Sequence, residues 1–217
     1  MPQQLTLYHY WRSSSSWRIR WALELKKLPY TPISINLLTD EAESREHIQR
    51  NPLGYVPVLE IQNDSHAKTH LLSESVAILE WLEETYPTPS LLSEDPLTRA
   101  RMRQLSEIIN SGTQPLQNPN VVQRHSTDPK EQKLWIQEWI KKGLHAYESL
   151  ITSSAREFSM GTSPTLPDLF LIPQCYNAVR FEIDLKTELP LLHRIYHHAL
   201  STPECLASAP ERFTPEP

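Results

Sequence analysis

The sequence predicts an α/β domain over residues 1–86, a linker over residues 87–94 and an all-helical domain over residues 95–217. Two observations predict this division. Four short segments alternate apolar and polar side chains at the period of a β-strand, and all of them precede residue 73. Beyond the proline-rich linker, the apolar side chains recur at helical spacing instead.

The predicted order of elements in the first domain is βαβαββα. We expect strands at residues 5–8, 31–37, 56–61 and 68–72, and helices at residues 17–28, 40–50 and 76–86. Because a helix separates the first two strands, these strands should pair in parallel through a right-handed crossover. The polar residues 63–66 predict a turn, so the third and fourth strands should form a hairpin.

The second domain should begin with a capped helix. Asp95 is a suitable N-cap, and Pro96 suits the first helical position. Aromatic and aliphatic side chains spaced over residues 135–147 predict a long amphipathic helix.

A further helix should start with a capping box. Thr165 and Asp168 have the required spacing, with Asp in place of the usual Glu. We expect the last helix at residues 191–200, followed by a proline-rich segment over residues 203–217.

Composition excludes several classes of function. The net charge of −5 divides into −3 for residues 1–86 and −2 for the rest, so no basic stripe indicates nucleic acid. No apolar run has the length of a membrane span, and four glycines leave no glycine-rich phosphate loop. The two cysteines, Cys175 and Cys205, are too far apart in sequence for a Cys-x-x-Cys motif, so we expect neither a disulfide framework nor a metal site. We therefore expect a protein of the reducing cytoplasm.

Four consecutive serines, residues 13–16, lie where the first strand gives way to the first helix. A helix start carries unpaired N–H groups and a partial positive charge, and therefore stabilises an anion. Hydroxyl groups add further donors. A thiolate is one candidate anion, because its pKa falls in such a site. The alternative is that these serines only cap the helix, although a cap requires one residue and this segment supplies four.

Two further segments of the first domain are candidate ligand contacts. Val56 and Pro57 lie where a loop enters the third strand, and a cis bond would turn the backbone of Val56 outward as a peptide-binding edge. Because only about 5% of X–Pro bonds are cis, the residues alone favour trans. Glu74 and Ser75 open the next helix; they either cap it or bind the carboxylate and ammonium of an α-amino-acid ligand.

The second domain offers weaker candidates. Gln114 begins an amide-rich segment that is typical of a polar loop. Arg180 lies late in an apolar helix, as either an ion-pair partner or a ligand contact. His193 and His197 are four residues apart but lack the carboxylate pattern of a metalloprotease, so we interpret them as surface residues.

Together these segments resemble the zeta class of glutathione S-transferases. The family signature Ser-Ser-Cys-x-Trp-Arg-Val-Arg-Ile-Ala-Leu corresponds to Ser-Ser-Ser-Ser-Trp-Arg-Ile-Arg-Trp-Ala-Leu at residues 13–23. Further matches follow in the family's order over nearly the whole chain: residues 51–52, 56–57, 74–78, 114–118, 173–174, 180–181 and 184–185.

The resemblance implies a thioredoxin-like first domain and glutathione as cofactor. It implies that the Val56–Pro57 bond is cis, contrary to the base rate. Ser13 would donate a hydrogen bond to the glutathione sulfur, with Ser14 beside it, while Ser15 occupies the position of the family's cysteine.

The remaining roles follow by matching position. Glu74 replaces the usual Gln, and Ser75 would hold the γ-glutamyl end of glutathione. Gln114 would reach this ligand from the helical domain. Arg180 would bind a substrate carboxylate, with Arg12 as a weaker candidate.

The activity that the resemblance implies is glutathione-dependent cis–trans isomerisation of maleylacetoacetate, in tyrosine and phenylalanine breakdown, by a cytoplasmic homodimer. Three alternatives stay open: isomerisation of maleylpyruvate, net transfer of glutathione to a substrate, and a non-catalytic binding module on the same fold. The mechanism needs no protein thiol, so Ser15 in place of cysteine is compatible with it.

Overall fold

A computed structural model describes residues 4–62 and 69–215, and these residues form two units. The first unit contains residues 4–89 and, unexpectedly, residues 203–215. Its first part has the predicted order βαβαββα, with a short 3₁₀ turn, Asp40–Glu43, before the second helix. The elements are β1 Gln4–His9, α1 Ser14–Leu25, β2 Thr31–Ser34, α2 Arg45–Arg50, β3 Val58–Gln62, β4 His70–Ser73 and α3 Ser75–Thr85.

The four strands form one mixed sheet in the order β2-β1-β3-β4. β1 and β2 are parallel, which confirms the predicted pairing of these strands. β3 pairs antiparallel with both β1 and β4, so the predicted hairpin also forms. The turn predicted at residues 63–66, and the start of the fourth strand at residue 68, lie outside the described residues.

Two strands are shorter than predicted. β2 ends at Ser34 because Asn36 folds the chain into a turn, its side-chain oxygen accepting the N–H of Leu38 at 2.9 Å. β3 begins at Val58, two residues later than predicted, since Pro57 has no N–H to donate to the sheet.

Helix α1 also ends earlier than the predicted stop at Pro29. The N–H of Leu28 donates to Leu23 O at 2.9 Å, and the N–H of Lys27 donates to Glu24 O at 3.0 Å. Lys27 has a φ of 53°, so this is a Schellman motif with lysine in the position that usually holds glycine. It completes the helix before the proline is reached.

Residues 203–215 correct the predicted domain boundary. They form α10, Pro203–Ser208, and a 3₁₀ turn, Pro210–Phe213, and they pack with α1 instead of completing the helical domain. Ser208 explains this placement, because it accepts hydrogen bonds from two buried residues of α1. Its hydroxyl accepts from Trp17 Nε1 at 3.1 Å, and its carbonyl accepts from Arg20 Nε at 2.9 Å.

The second unit, residues 90–202, is helical as predicted, although it begins inside the predicted linker because Leu91 and Leu92 are buried. The N-cap Asp95 accepts the N–H of Thr98 at 2.8 Å, which confirms the predicted helix start. The helices are α4 Pro96–Asn110, α5 Pro119–His125, α6 Pro129–Ile151, α7 Leu166–Arg180, α8 Leu185–Glu188 and α9 Pro190–Ala199. Helix α9, predicted to be the last, is followed by α10.

The predicted capping box at the start of α7 forms around Asp168, which is fully buried. Its carboxylate accepts the N–H of Ser159 at 2.9 Å, the N–H of Thr165 at 2.9 Å and the hydroxyl of Thr165 at 3.0 Å. Burial raises the pKa of Asp168, and these hydrogen bonds oppose the rise.

We expect Asp168→Ala to lower the free energy of unfolding by about 3 kcal/mol, because three donors lose their acceptor in a buried place. Asp184→Ala is the matched control: Asp184 caps α8 by accepting the N–H of Lys186 at 3.0 Å, but it lies on the surface. The control should lose about 1 kcal/mol. Urea denaturation followed by circular dichroism measures both losses, and equal losses would contradict this account.

Candidate functional site

The turn between β1 and α1 places Ser13 at the N-cap of the helix. The N–H of Ser13 donates to Tyr10 O at 3.0 Å, and its hydroxyl oxygen accepts the N–H of Ser16 at 3.2 Å. A hydroxyl group can accept and donate at once. In the part of the chain that the structure describes, the Ser13 hydroxyl proton meets no acceptor. Ser13 is therefore a cap whose donor remains available to a ligand.

The other serines have different surroundings. Ser16 is fully buried, and its hydroxyl oxygen accepts the N–H of Tyr10 at 3.3 Å, so it braces the turn. Ser14 is 9% exposed and Ser15 is half-buried, and both belong to the first turn of α1. This first turn contains no acidic residue, so the partial positive charge of the helix start is not neutralised within it.

Val56 and Pro57 are joined by a cis bond, as the resemblance implies and contrary to the base rate. Both residues are buried. Val56 packs in one apolar cluster with Tyr10, against which Trp11 also lies. The segment before β3 is therefore in contact with the turn that carries the first serines.

Glu74 and Ser75 form the start of α3. Glu74 is exposed and has a φ of 67°, a backbone conformation that is uncommon for a residue with a side chain. Ser75 is 5% exposed, and its hydroxyl oxygen accepts a hydrogen bond from Arg18 Nη1 at 2.9 Å. As at Ser13, the described residues supply no acceptor for the hydroxyl proton of Ser75.

The register of the sheet brings these segments to one edge. Tyr8, Val58 and Ser73 lie directly opposite one another on β1, β3 and β4. Just beyond this row, β1 leads into the turn before α1. At the row itself, β3 begins and β4 ends, directly before α3. Three of the predicted segments consequently share this edge: residues 13–15, 56–57 and 74–75.

Sequence reasoning missed Arg18. The side chain is fully buried, and its bond to Ser75 ties α1 to the start of α3. The available signal was its position: Arg18 lies between Trp17 and Ile19 in a helix that is apolar on several sides, where a charged residue requires a buried partner.

Arg12 lies immediately before Ser13 and is half-buried. Its Nη2 donates to the hydroxyl of Tyr10 at 3.3 Å, and its Cζ lies 4.7 Å from the ring centre of Trp11. These two contacts restrain the guanidinium close in sequence to the serine cluster.

In the second unit, Gln114 begins a 3₁₀ turn, Gln114–Gln117, and its Nε2 donates to Asn118 Oδ1 at 3.4 Å. This turn follows Thr113, which packs closely against Gly143 of α6. A Cβ at Gly143 would lie only 1.9 Å from Thr113 Oγ1, so the glycine allows the two segments to approach.

Arg180 is exposed near the end of α7, and a chain of amides leads from it to the same 3₁₀ turn. Its Nη1 donates to Asn177 Oδ1 at 3.0 Å, and Asn177 Nδ2 donates to Gln117 Oε1 at 3.4 Å. Gln117 and the buried Gln174 exchange two hydrogen bonds, of 3.0 and 3.2 Å. This network holds Arg180, an arrangement that sequence spacing did not indicate.

The protein's own thiols are unsuited to nucleophilic chemistry. Cys175 and Cys205 are both fully buried. Burial raises the pKa of the Cys175 thiol well above its usual range and raises the pKa of Cys205 to about 12. Any thiolate that acts at the serine cluster must therefore come from a ligand.

Other kinds of site find no support in the residues described. Across residues 4–62 and 69–215, no helix combines the length and the apolar character that a membrane crossing requires. Within the same residues, His, Cys, Asp and Glu side chains nowhere gather in a group of three that could hold a metal ion.

Comparison with known proteins places this arrangement in a family. Residues 3–84 match the glutathione S-transferase N-terminal domain. The chain is 42% identical over 209 residues to "Probable maleylacetoacetate isomerase 2" of Drosophila melanogaster, covering 95% of this chain and 88% of that one.

Solved structures agree with the sequence relatives. A maleylacetoacetate isomerase from Anaeromyxobacter dehalogenans 2CP-1, with glutathione bound in its active site, matches with a TM-score of 0.88 and 44% identity, covering 99% of this chain and 98% of that chain. A bacterial zeta-class maleyl pyruvate isomerase matches with a TM-score of 0.86 and 34% identity, covering 94% of this chain and 96% of that chain. The chain therefore belongs to the zeta class of glutathione S-transferases, the family that includes the maleylacetoacetate isomerases.

Proposed function

We propose that this protein is a glutathione-dependent enzyme that isomerises maleylacetoacetate to fumarylacetoacetate. The observation that carries the proposal is the start of α1, where the hydroxyl proton of Ser13 has no acceptor among the described residues. A hydroxyl donor beside a positive helix end favours a thiolate over a thiol. When bound, glutathione supplies the thiolate that adds reversibly to the cis double bond, so that rotation can precede elimination.

The residues at the sheet edge fit glutathione. A tripeptide ligand needs a hydrogen-bond donor for its carboxylate, an acceptor for its ammonium group and a backbone partner for its peptide group. Ser75 supplies a hydroxyl donor at the start of α3, and Arg18 fixes its oxygen at 2.9 Å. Glu74 supplies a carboxylate beside it, and the backbone of Val56, before the cis bond to Pro57, supplies the partner for the ligand's peptide group.

Three further residues complete the proposed glutathione site. Ser14 and Ser15 lie in the first turn of α1, where they would extend the donor surface beside Ser13. Gln114 is proposed to contact glutathione from the second unit, by correspondence with the family motif. None of these residues must ionise to act.

The substrate is an anion with two carboxylates, so cations are proposed to orient it. Arg180 is the first candidate, because the amide network through Asn177 holds its guanidinium. Arg12 is the second, because it directly precedes Ser13 and its guanidinium is restrained by Tyr10 and Trp11. Arginine is suited to this role because its planar fork matches a carboxylate.

We also propose that the protein acts as a cytoplasmic homodimer, with no nucleic-acid or membrane partner. The two buried, unpaired cysteines suit a reducing compartment. The even spread of the −5 net charge offers no basic surface to nucleic acid. Light scattering that returned the mass of one chain would contradict the dimer.

The activity is tested with purified protein and maleylacetoacetate, with glutathione, without it, and with S-methylglutathione. We expect turnover only with glutathione, because S-methylglutathione binds in the same way but offers no thiolate. Turnover without any thiol would refute the proposal.

The same assay separates the alternatives. Faster turnover of maleylpyruvate would identify the other isomerase of the class, to which the chain is also similar. A stable conjugate that retains glutathione would identify a transferase. Failure to bind glutathione at millimolar concentration would leave only a binding module.

Ser13→Ala should lower turnover at neutral pH by roughly tenfold to a hundredfold, because the thiolate loses a directed donor. The activity should recover at alkaline pH, where glutathione ionises without help.

Two control variants separate an effect on the chemistry from an effect on stability. Ser44→Ala removes the equivalent cap of α2, where the hydroxyl accepts the N–H of His47 at 3.2 Å, and should leave turnover unchanged. Ser16→Ala should cost stability more than turnover, and a loss of turnover equal to that of Ser13→Ala would reject the assignment of Ser13.

Arg180→Ala should raise KM for the substrate by about tenfold or more, because a charge-assisted hydrogen bond is lost, while glutathione affinity stays the same. Asn177→Ala should raise KM in the same direction but less, since it only loosens the guanidinium. Arg124→Ala, which removes an exposed arginine of α5, serves as the control for net charge. An unchanged KM in Arg180→Ala would show that Arg180 does not bind substrate.

A further inference from the structure

We propose that residues 203–215, which we call the return segment, help to position Ser13 and that they act through Arg20. The proposal rests on the proposed function, because it concerns the serine that stabilises the glutathione thiolate. It adds to the site a positioning residue, Arg20, and the return segment, in which the sequence analysis predicted no site residue.

Arg20 is a fully buried cation of α1 that joins the turn before Ser13 to the return segment. Its Nε donates to Ser208 O at 2.9 Å. Its Nη1 donates to His9 Nδ1 at 3.1 Å and to Tyr10 O at 3.4 Å, and its Nη2 donates to Trp11 O at 3.0 Å. One guanidinium therefore bonds to the end of β1, to the turn and to the return segment.

The turn carbonyl that Arg20 holds is the one that positions Ser13. Tyr10 O accepts the N–H of Ser13 at 3.0 Å and also accepts Nη1 of Arg20. Trp11 O, the next carbonyl of the same turn, accepts Nη2. A shift of the guanidinium would therefore move the acceptor that sets the backbone of the N-cap.

The return segment covers the other side of Arg20. The Cζ of Arg20 lies 4.6 Å from the ring centre of Phe213, in cation–π geometry. The same ring meets His9 edge-on, with centroids 5.1 Å apart. Phe213 therefore excludes water from the guanidinium and from the imidazole together, and hydrogen bonds from Arg20 strengthen in a drier environment.

The positive charge of Arg20 lies in a fully buried position, which is uncommon for arginine. Within residues 4–62 and 69–215, no carboxylate forms an ion pair with Arg20; burial lowers its pKa to about 10, and the charge of Glu211 in the return segment opposes this shift. A guanidinium only donates, so His9 Nδ1 must be the acceptor and the ring is neutral. Burial and the charge of Arg20 lower the pKa of His9 to about 3, which agrees with a neutral ring.

A purely structural role explains less of this arrangement. Anchoring the return segment requires only an apolar contact, and a buried guanidinium is a costly way to supply one. Three of the four acceptors of Arg20 lie at residues 9–11, at the start of the turn that ends at Ser13. The hydrogen bonds of Arg20 therefore mainly stabilise the turn.

The test compares Phe213→Ala with Phe213→Tyr, which keeps the ring, and with Arg212→Ala, which alters an exposed neighbour. The thiol pKa of bound glutathione is titrated by its ultraviolet thiolate absorbance, and the pH profile of turnover is recorded for each variant. We expect Phe213→Ala to raise the thiol pKa by about half a unit or more, with several-fold lower turnover at neutral pH that recovers at alkaline pH. Phe213→Tyr and Arg212→Ala should match the original protein.

A folded Phe213→Ala with an unchanged thiol pKa would overturn the inference. If this variant does not fold, the same titration is carried out on Phe213→Leu and Arg20→Lys, and their thiol pKa values test the inference. Arg20→Lys keeps the charge but loses the planar fork that reaches three carbonyls, so the thiol pKa of bound glutathione should also rise in this variant. If the original protein does not depress the thiol pKa, the proposed function itself fails. If it does and only the Phe213 and Arg20 variants are without effect, this inference alone is wrong.

Discussion

The hydrogen bond from the N–H of Ser13 to Tyr10 O, at 3.0 Å, is the contact on which the rest of the proposed site depends. It closes the turn that carries the chain from the end of β1 to the start of α1. Because of this turn, Ser13 caps the helix with its oxygen while its proton faces no acceptor among the described residues. The site thus combines a helix end, which favours negative charge over several ångströms, with one directed donor.

Three buried cations, Arg18 and Arg20 within α1 and Lys26 at its C-cap, connect the helix to the rest of its unit. Arg18 bonds to the first residue of α3, and Arg20 bonds to the turn and to the return segment. Lys26 pairs with Glu83 at 2.8 Å and donates to two backbone carbonyls beyond α3. The helix that presents the serines is therefore fixed along its length by directed bonds as well as by its apolar core. This explains how a cluster of small side chains on a turn can hold a defined geometry.

The sequence predicted the features that have a local cause. Strand period, helical spacing and cap chemistry were enough for the order of the elements, the start of α4 at Asp95 and the capping box at Asp168. The serine cluster was likewise visible, because donors at a strand–helix junction have a local physical meaning. The family resemblance supplied what spacing could not, including the cis bond at Pro57.

The features that were missed depend on contacts distant in sequence. Arg18 and Arg20 lie on nearly opposite sides of a helix with few polar positions, and only the packing of α1 shows which distant groups they bond to. The return segment is proline-rich, and nothing in residues 203–215 alone indicates that Ser208 meets Trp17 almost two hundred positions earlier. The amide network that holds Arg180 needs Gln117 and Gln174, from two different elements, to exchange hydrogen bonds.

The central claim is that the start of α1 keeps the thiol of a bound ligand ionised near neutral pH. Titration of glutathione bound to the unaltered protein, followed through the ultraviolet absorbance of its thiolate, tests this most directly. The account predicts a thiol pKa that is lower than that of glutathione in water by about one unit or more. A bound thiol that titrates at the same pH as in water would contradict it.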